Sequence, residues 1–251
     1  MQRNLVTLAT VISIKPSGEN NASVCFLTKE EGVVYGILYG GRKSRLRSLV
    51  STWNTGILYL SFSKGSYKIS DFDVKEYHPS FRENIFKSCA ASLAAEVALK
   101  TKCAGNSEVC WALVNGFLHG LDVCQAQDAA VSGLIRFLWR YLELLGLQPV
   151  HVLGGGAACA RCGELLYTGG FYAQHENGFL CSNCAKSGYP VFVGGEGLRY
   201  LSFISSVSPA EAASSVVPAD SVDQLKNLLY FLIENACDSV LLSLKTGAGV
   251  L

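Results

Sequence analysis

The sequence predicts an α+β fold in which a small closed β-barrel is followed by a helical bundle carrying a cysteine-rich insertion. Three observations predict it. The first 78 residues break into five short runs rich in β-branched and aromatic residues, each bounded by Gly, Asn or charged turn residues. After His78-Pro79 the apolar spacing changes to one residue in four, the period of a helix face. Cys159-Ala160-Arg161-Cys162 and Cys181-Ser182-Asn183-Cys184 then stand 18 residues apart within that helical stretch.

The strands are expected at Leu5–Ile14, Ala22–Thr28, Val33–Tyr39, Trp53–Ser63 and Tyr67–Tyr77. Lys64-Gly65-Ser66 joins the last two as a hairpin turn, with Gly where positive φ is required. Five such strands in about 75 residues suit a barrel of the OB type, with an SH3-like barrel as the alternative.

Pro79 suits the first turn of a helix whose stripe is Phe81, Ile85, Cys89, Leu93 and Val97, widened by Phe86 and Ala90. A second helix is expected from Ser107 as N-cap, with Cys110, Leu113, Phe117 and Leu121 on one face. A third runs from Gln127 to Leu145 and stops at Gly146. Gly154-Gly155-Gly156 reads as a linker, because no strand-loop-helix frame surrounds it for a phosphate site. Short helices near Leu198–Ser206 and Pro209–Ser214 precede an amphipathic helix, Val222–Leu242, burying Leu225, Leu228, Leu229, Leu232, Ile233 and Cys237. The expected organisation is a barrel over 1–78, helices over 79–150 and 191–251, and a cysteine module over 151–190.

Four thiolates in two Cys-x-x-Cys pairs at this separation can be gathered by one tetrahedral metal ion, and the spacing reads as zinc held by Cys159, Cys162, Cys181 and Cys184. Four sulfurs fill the coordination sphere, so His175, between the pairs, is left out and the site is structural. The other six cysteines are scattered through apolar surroundings and read as buried free thiols of a reducing, cytosolic compartment. Hydrophobic residues make up 49% of the chain and charged residues 16%, which argues for a folded protein. Leu5–Ile14 imitates a signal h-region but lacks a small-residue cleavage site and runs into Lys15-Pro16. No apolar run reaches the roughly 18 residues of a membrane span.

The net charge of +1 conceals an asymmetry: residues 1–78 hold ten Lys/Arg against six Asp/Glu, and the remainder eleven against fourteen. Arg42, Lys43, Arg45 and Arg47 form a cationic loop directly after the third strand, able to neutralise several phosphates with a steep salt dependence. Tyr35, Tyr39, Trp53, Tyr59 and Phe62 supply rings on which bases can stack, although strand alternation turns some of them inward. No Gly-x-Ser-x-Gly elbow, Walker loop or His-Glu-x-x-His helix is present, and the four histidines stand apart from carboxylate clusters in sequence. A non-enzyme is expected. A protein-interaction scaffold built on the barrel and the zinc module is the alternative to DNA binding.

Three barrel segments, Gly18-Glu19, Leu27-Thr28-Lys29-Glu30-Glu31-Gly32 and Gly40-Gly41-Arg42-Lys43-Ser44-Arg45-Leu46-Arg47, and the helix Phe137-Leu138-Trp139-Arg140-Tyr141-Leu142-Glu143-Leu144-Leu145-Gly146 ahead of the cysteine module occur in one chain in this order. In these motifs and their order the chain resembles the RecO family of bacterial recombination mediators, departing from the family's helix at Leu138, Trp139 and Tyr141. The resemblance implies binding of single- and double-stranded DNA, strand annealing, and action with RecR to load RecA onto strands coated by single-strand-binding protein. It assigns the DNA contacts to Arg42, Lys43, Arg45 and Arg47. It gives the helical domain the tail of single-strand-binding protein, with Arg140 and Arg136 as the cations. It also implies a bacterial cytoplasmic protein that joins the nucleoid during repair.

Overall fold

The computed structural model describes residues 4–40, 44–63, 65–149, 152–153, 156–186 and 188–251. The chain divides into two compact units, Met1–Asp122 and Val123–Leu251.

In the first unit, alternation of inward and outward side chains produces β1 (Asn4–Ser17), β2 (Asn21–Thr28), β3 (Gly32–Leu38), β4 (Thr55–Ser63) and β5 (Ser66–Glu76). They close in the order β1-β2-β3-β5-β4. Every pair is antiparallel except β3–β5, a parallel seam of two register pairs, Gly36↔Tyr67 and Ile37↔Lys68. This is the OB-type order. A Cβ on Gly36 would fall 2.9 Å from Ile69 Cγ1, so the seam closes only over a glycine. Val11, Val24, Phe26, Leu58, Leu60 and Phe72 fill the interior, with the Phe26 and Phe72 rings 6.0 Å apart. Trp53, expected to open the fourth strand, instead lies in a turn closed by Asn54 N–H donating to the Ser51 carbonyl at 3.0 Å.

The helices begin later than the proline suggests. Pro79–Arg82 is a separate 3-10 turn, and α1 (Ile85–Lys100) starts behind Asn84, whose Oδ1 accepts from Lys87 N–H at 3.1 Å. Of the expected stripe, Phe81, Phe86, Ala90, Leu93 and Val97 are buried and Cys89 is half-buried, while Ile85, at the first position of the helix, is 70% exposed. Phe86, Ala90, Ala91, Leu93, Ala94, Val97 and Ala98 are buried around most of the circumference, and a helix this rich in alanine lets neighbours approach on several sides. For α2 (Ser107–Val123) the cap is Asn106, one residue before the expected Ser107; its Oδ1 accepts from Val109 N–H at 3.2 Å. On the outside of the barrel, the hydroxyls of Thr10 and Thr55 lie 2.8 Å apart and 2.6 and 3.1 Å from Asn115 Oδ1 of α2, so each can give its one proton within this triangle.

The second unit contains α3 (Gln127–Leu144), which ends as expected before Gly146, here in the left-handed region. Val152–Leu153 (β6) pairs antiparallel with Gly156–Ala157 (β7), which begins at the last glycine of the run; Gly154 and Gly155 lie outside the described residues. A three-stranded sheet, β8 (Gly169–Ala173), β9 (Gly178–Leu180) and β10 (Phe192–Gly194), carries the cysteine module. It runs directly into α4 (Gly195–Ser206), followed by α5 (Pro209–Ala212). Ser208 and Glu211 form a reciprocal capping box at the start of α5. The last long helix, α6 (Val222–Ala236), is shorter than expected and buries Leu225, Leu228, Leu229, Leu232 and Ile233; Cys237 is its C-cap, and α7 (Leu242–Thr246) follows separately. α6 and α4 both pack on α3.

Candidate metal centre and nucleic-acid face

The four cysteines converge. One Sγ from each of Cys159, Cys162, Cys181 and Cys184 lies within 4.8 Å of all the others. Cys162 and Cys181 are 3.7 Å apart. A Zn–S bond of about 2.3 Å puts tetrahedral sulfurs about 3.8 Å apart, so the cluster can hold a metal ion such as zinc.

Each pair sits in a tight knuckle. Gly163 N–H donates to the Cys159 carbonyl at 2.8 Å, with Gly163 at φ +77 where a side chain is disfavoured. Ala185 N–H donates to the Cys181 carbonyl at 2.9 Å. Arg161 joins the knuckles by donating to the Cys184 carbonyl at 2.9 Å and pairing with Glu176. Burial raises the Cys159 thiol, but backbone N–H groups of Cys181, Cys162 and Arg161 outweigh it and bring it down to about 6. Cys184 is pushed up to about 12, first by its hydrogen bond with Cys162 and then by burial. Four thiolates this close repel one another unless a cation joins them, and an all-sulfur donor set of this size suits zinc. His175 lies on the exposed 3-10 turn Gln174–Glu176, outside the cluster.

The module is tied to the helices of its own unit. Asn177 Nδ2 donates to the Gln148 carbonyl, and Gln148 Nε2 to the Trp139 carbonyl of α3. The Tyr172 ring of β8 meets Phe231 of α6 edge-on at 6.1 Å. Gly194 N–H donates to Gln224 Oε1 of α6.

On the barrel, Arg42 and Lys43 lie outside the described residues. Arg45 and Arg47 are exposed at the two ends of a 3-10 turn whose middle residue, Leu46, is buried in the barrel core. Ser44 Oγ accepts from Leu46 N–H at 3.3 Å and fixes the start of the turn. Among the described residues neither arginine is paired with a carboxylate.

The five rings separate into two groups. Tyr35, Tyr39 and Tyr59 are exposed. Trp53 packs edge-on against Phe81, and Phe62 against Tyr67. Tyr59 faces Asp71 across the β4–β5 ladder, an acidic neighbour for any phosphate. The sequence reading missed Lys68, whose Nζ stands 5.8 Å from the Tyr39 ring centroid. Its signal was an outward position on β5 beside the third strand.

Arg136 and Arg140 turn toward their own unit. Arg136 donates to the Ser215 carbonyl and the Tyr200 hydroxyl. Arg140 donates to the Ile204 and Val207 carbonyls and pairs with Glu143 at 3.0 Å. Among the described residues no helix is long and apolar enough to cross a membrane.

Residues 82–244 match the family described as "Recombination protein O C terminal". The chain is similar to the DNA repair protein RecO of Synechococcus sp. (strain JA-3-3Ab), 24% identical over 251 residues that cover 93% of this chain and 82% of that protein. It is also similar to the DNA repair protein RecO of Oceanobacillus iheyensis, 24% identical over 224 residues that cover 88% and 83% respectively.

Proposed function

Because the chain belongs to the RecO family of DNA repair and recombination proteins, we propose that it binds single- and double-stranded DNA, anneals complementary strands, and acts with RecR to load RecA onto DNA coated by single-strand-binding protein. The observation that carries the DNA reading is the turn Arg45–Arg47. Burying Leu46 leaves Arg45 and Arg47 exposed at the ends of the turn, on an OB-type barrel that also exposes the Tyr39–Lys68 pair. Arg42 and Lys43, in the same loop by sequence, complete the proposed contact. Phosphates neutralised there release counterions, and exposed tyrosines offer faces for bases that are not paired.

Annealing needs no bond made or broken by the protein, in keeping with a family of generally non-catalytic mediators, and we assign this chain no catalytic residue. Cys159, Cys162, Cys181 and Cys184 are assigned one structural zinc per chain. Its part is to hold the loop insertion against α3 and α6, since the binding free energy of a structural zinc is folding free energy. For the acidic, apolar tail of single-strand-binding protein we retain Arg136 and Arg140. A guanidinium has five N–H donors, so a carboxylate would take those not already given to backbone carbonyls. The protein is placed in the bacterial cytoplasm.

The deciding experiment is a salt-dependent gel shift of labelled single-stranded DNA with and without single-strand-binding protein, followed by annealing of complementary oligonucleotides. Binding that weakens steeply with salt, and annealing that survives the coating protein, are expected. No oligonucleotide binding at low salt, with binding to the tail peptide retained, would replace this reading with the interaction scaffold.

A further inference from the structure

Between the far half of β1 and α1 the first unit has a groove of about 540 Å³, within the range of small-ligand sites. Ile14, Leu99 and Trp53 supply apolar walls, and the hydroxyls of Ser13, Thr52 and Ser92 supply hydrogen-bonding groups. The one charged residue in the lining is Glu96. Glu96 is paired with Lys100 at 3.7 Å, and the lining offers no cation of its own to a phosphate. The groove suits a flat, neutral ring with polar edges.

The backbone at Trp53 favours use of its ring. In the turn Ser51–Asn54, Trp53 holds φ at +74, where glycine or asparagine is the usual occupant and a bulky side chain is strained. The strand on either side keeps it there: Trp53 N–H donates to the Val11 carbonyl at 2.8 Å, and Val11 N–H to the Asn54 carbonyl at 2.9 Å. Phe81 meets the indole edge-on, with ring planes at 77°. Strain of this kind concentrates where a side chain has work to do. Arg45 and Arg47 belong to the same connection between β3 and β4.

We propose that this groove receives an unpaired nucleobase of single-stranded DNA, stacked against Trp53, while the basic turn holds the phosphates. The proposal rests on the DNA reading above and adds to it a preference for strands whose bases are free. In a duplex the base is already stacked and paired, and the groove has nothing to take.

The test uses the full, metal-loaded chain and fluorescein-labelled oligonucleotides: a single strand, the same strand as a duplex, and a single strand with abasic positions. Trp53→Ala is expected to weaken single-strand binding by about 5-fold or more, as loss of a base–aromatic stack does. It should also lower the ratio of single-strand to duplex affinity, while Trp53→Phe retains most of both. Ser92→Phe, which fills the groove from α1 without touching the strained turn, is expected to act like Trp53→Ala and guards against misfolding of that variant. Abasic strands should bind wild type less tightly and should not distinguish it from Ser92→Phe. Folded Trp53→Ala and Ser92→Phe proteins with wild-type single-strand affinity, or with single-strand and duplex affinity reduced equally, would overturn the proposal and leave the DNA reading standing. Wild-type protein that binds neither form at low salt would overturn both.

Discussion

The Arg140 guanidinium donates to the carbonyl oxygen of Val207, the residue that ends α4, and to that of Ile204 in the last turn before it. The last four carbonyls of a helix have no partner within the helix, and a cation there also opposes the helix dipole. One side chain of α3 thus completes the end of another helix.

Replacing Arg140 by Ala is expected to destabilise the protein by about 2–3 kcal/mol, the scale of hydrogen bonds to a charged group whose partners are left half-buried. Arg140→Lys should recover only part of this, because one ammonium cannot reproduce the planar fork. Urea denaturation measures the difference. Titration of the same variants with the tail peptide of single-strand-binding protein separates the roles: a loss of peptide affinity larger than the loss of stability explains would support the partner site.

Arg45→Ala and Arg47→Ala change exposed side chains, so folding should hold within about 0.5 kcal/mol. What should change is the salt dependence of DNA binding. Each phosphate contact removed is expected to flatten the slope of log affinity against log salt by about 0.9 on duplex DNA and about 0.7 on a single strand. Adding Arg42→Ala and Lys43→Ala should flatten it further and slow annealing. An unchanged slope in the fourfold variant would refute the basic loop as the DNA contact.

Metal analysis should find about one zinc per chain. Chelation, or Cys162→Ser, is expected to loosen residues 156–186 first, read as faster amide exchange in β8 and β9 and a loss of overall stability. A metal-free preparation with unaltered stability would remove zinc from the account.

His78 supplies a pH dependence with a definite sign. Its ring is buried, stacks on Phe81 with centroids 5.2 Å apart, and has Nδ1 3.7 Å from Asp122 Oδ2. Burial lowers its pKa from the ordinary 6.5, against the pull of Asp122 and Glu76, while His119 adds to the lowering. The unfolded chain therefore takes up a proton before the folded one does. Stability from this group is complete above about pH 6.5 and is lost as pH falls toward the folded value, by at most about 1.4 kcal/mol per pH unit. Denaturation at pH 7.5 and 5.5 should show the decline, and His78→Phe should lessen it. Equal declines in both proteins would rule out His78 as its source.

The barrel strands were legible because alternation is local: Val24, Phe26, Leu58 and Leu60 announce an inward face with no knowledge of their partners. The four-cysteine cluster was legible for a similar reason, since a Cys-x-x-Cys knuckle is a local geometry and two knuckles can share one ion. What failed depends on position in space. Pro79 reads as a helix start, but Asn84 supplies the side-chain cap and the first turn is separate. Trp53 reads as a strand residue, yet its pairing with Val11 places it in a turn. The place of Arg140 at the end of α4 is not legible from α3 alone, because the carbonyls it serves lie 64 and 67 residues further along the chain.

The seam between β3 and β5 has a dynamic consequence. A closed barrel has no sheet edge, but this one is fastened by two register pairs on one side and by long antiparallel ladders elsewhere. The zipper would part first at Gly36 and Ile37. There β3 can briefly become an edge, able to pair with another extended chain, so aggregation of a destabilised variant would begin at this seam.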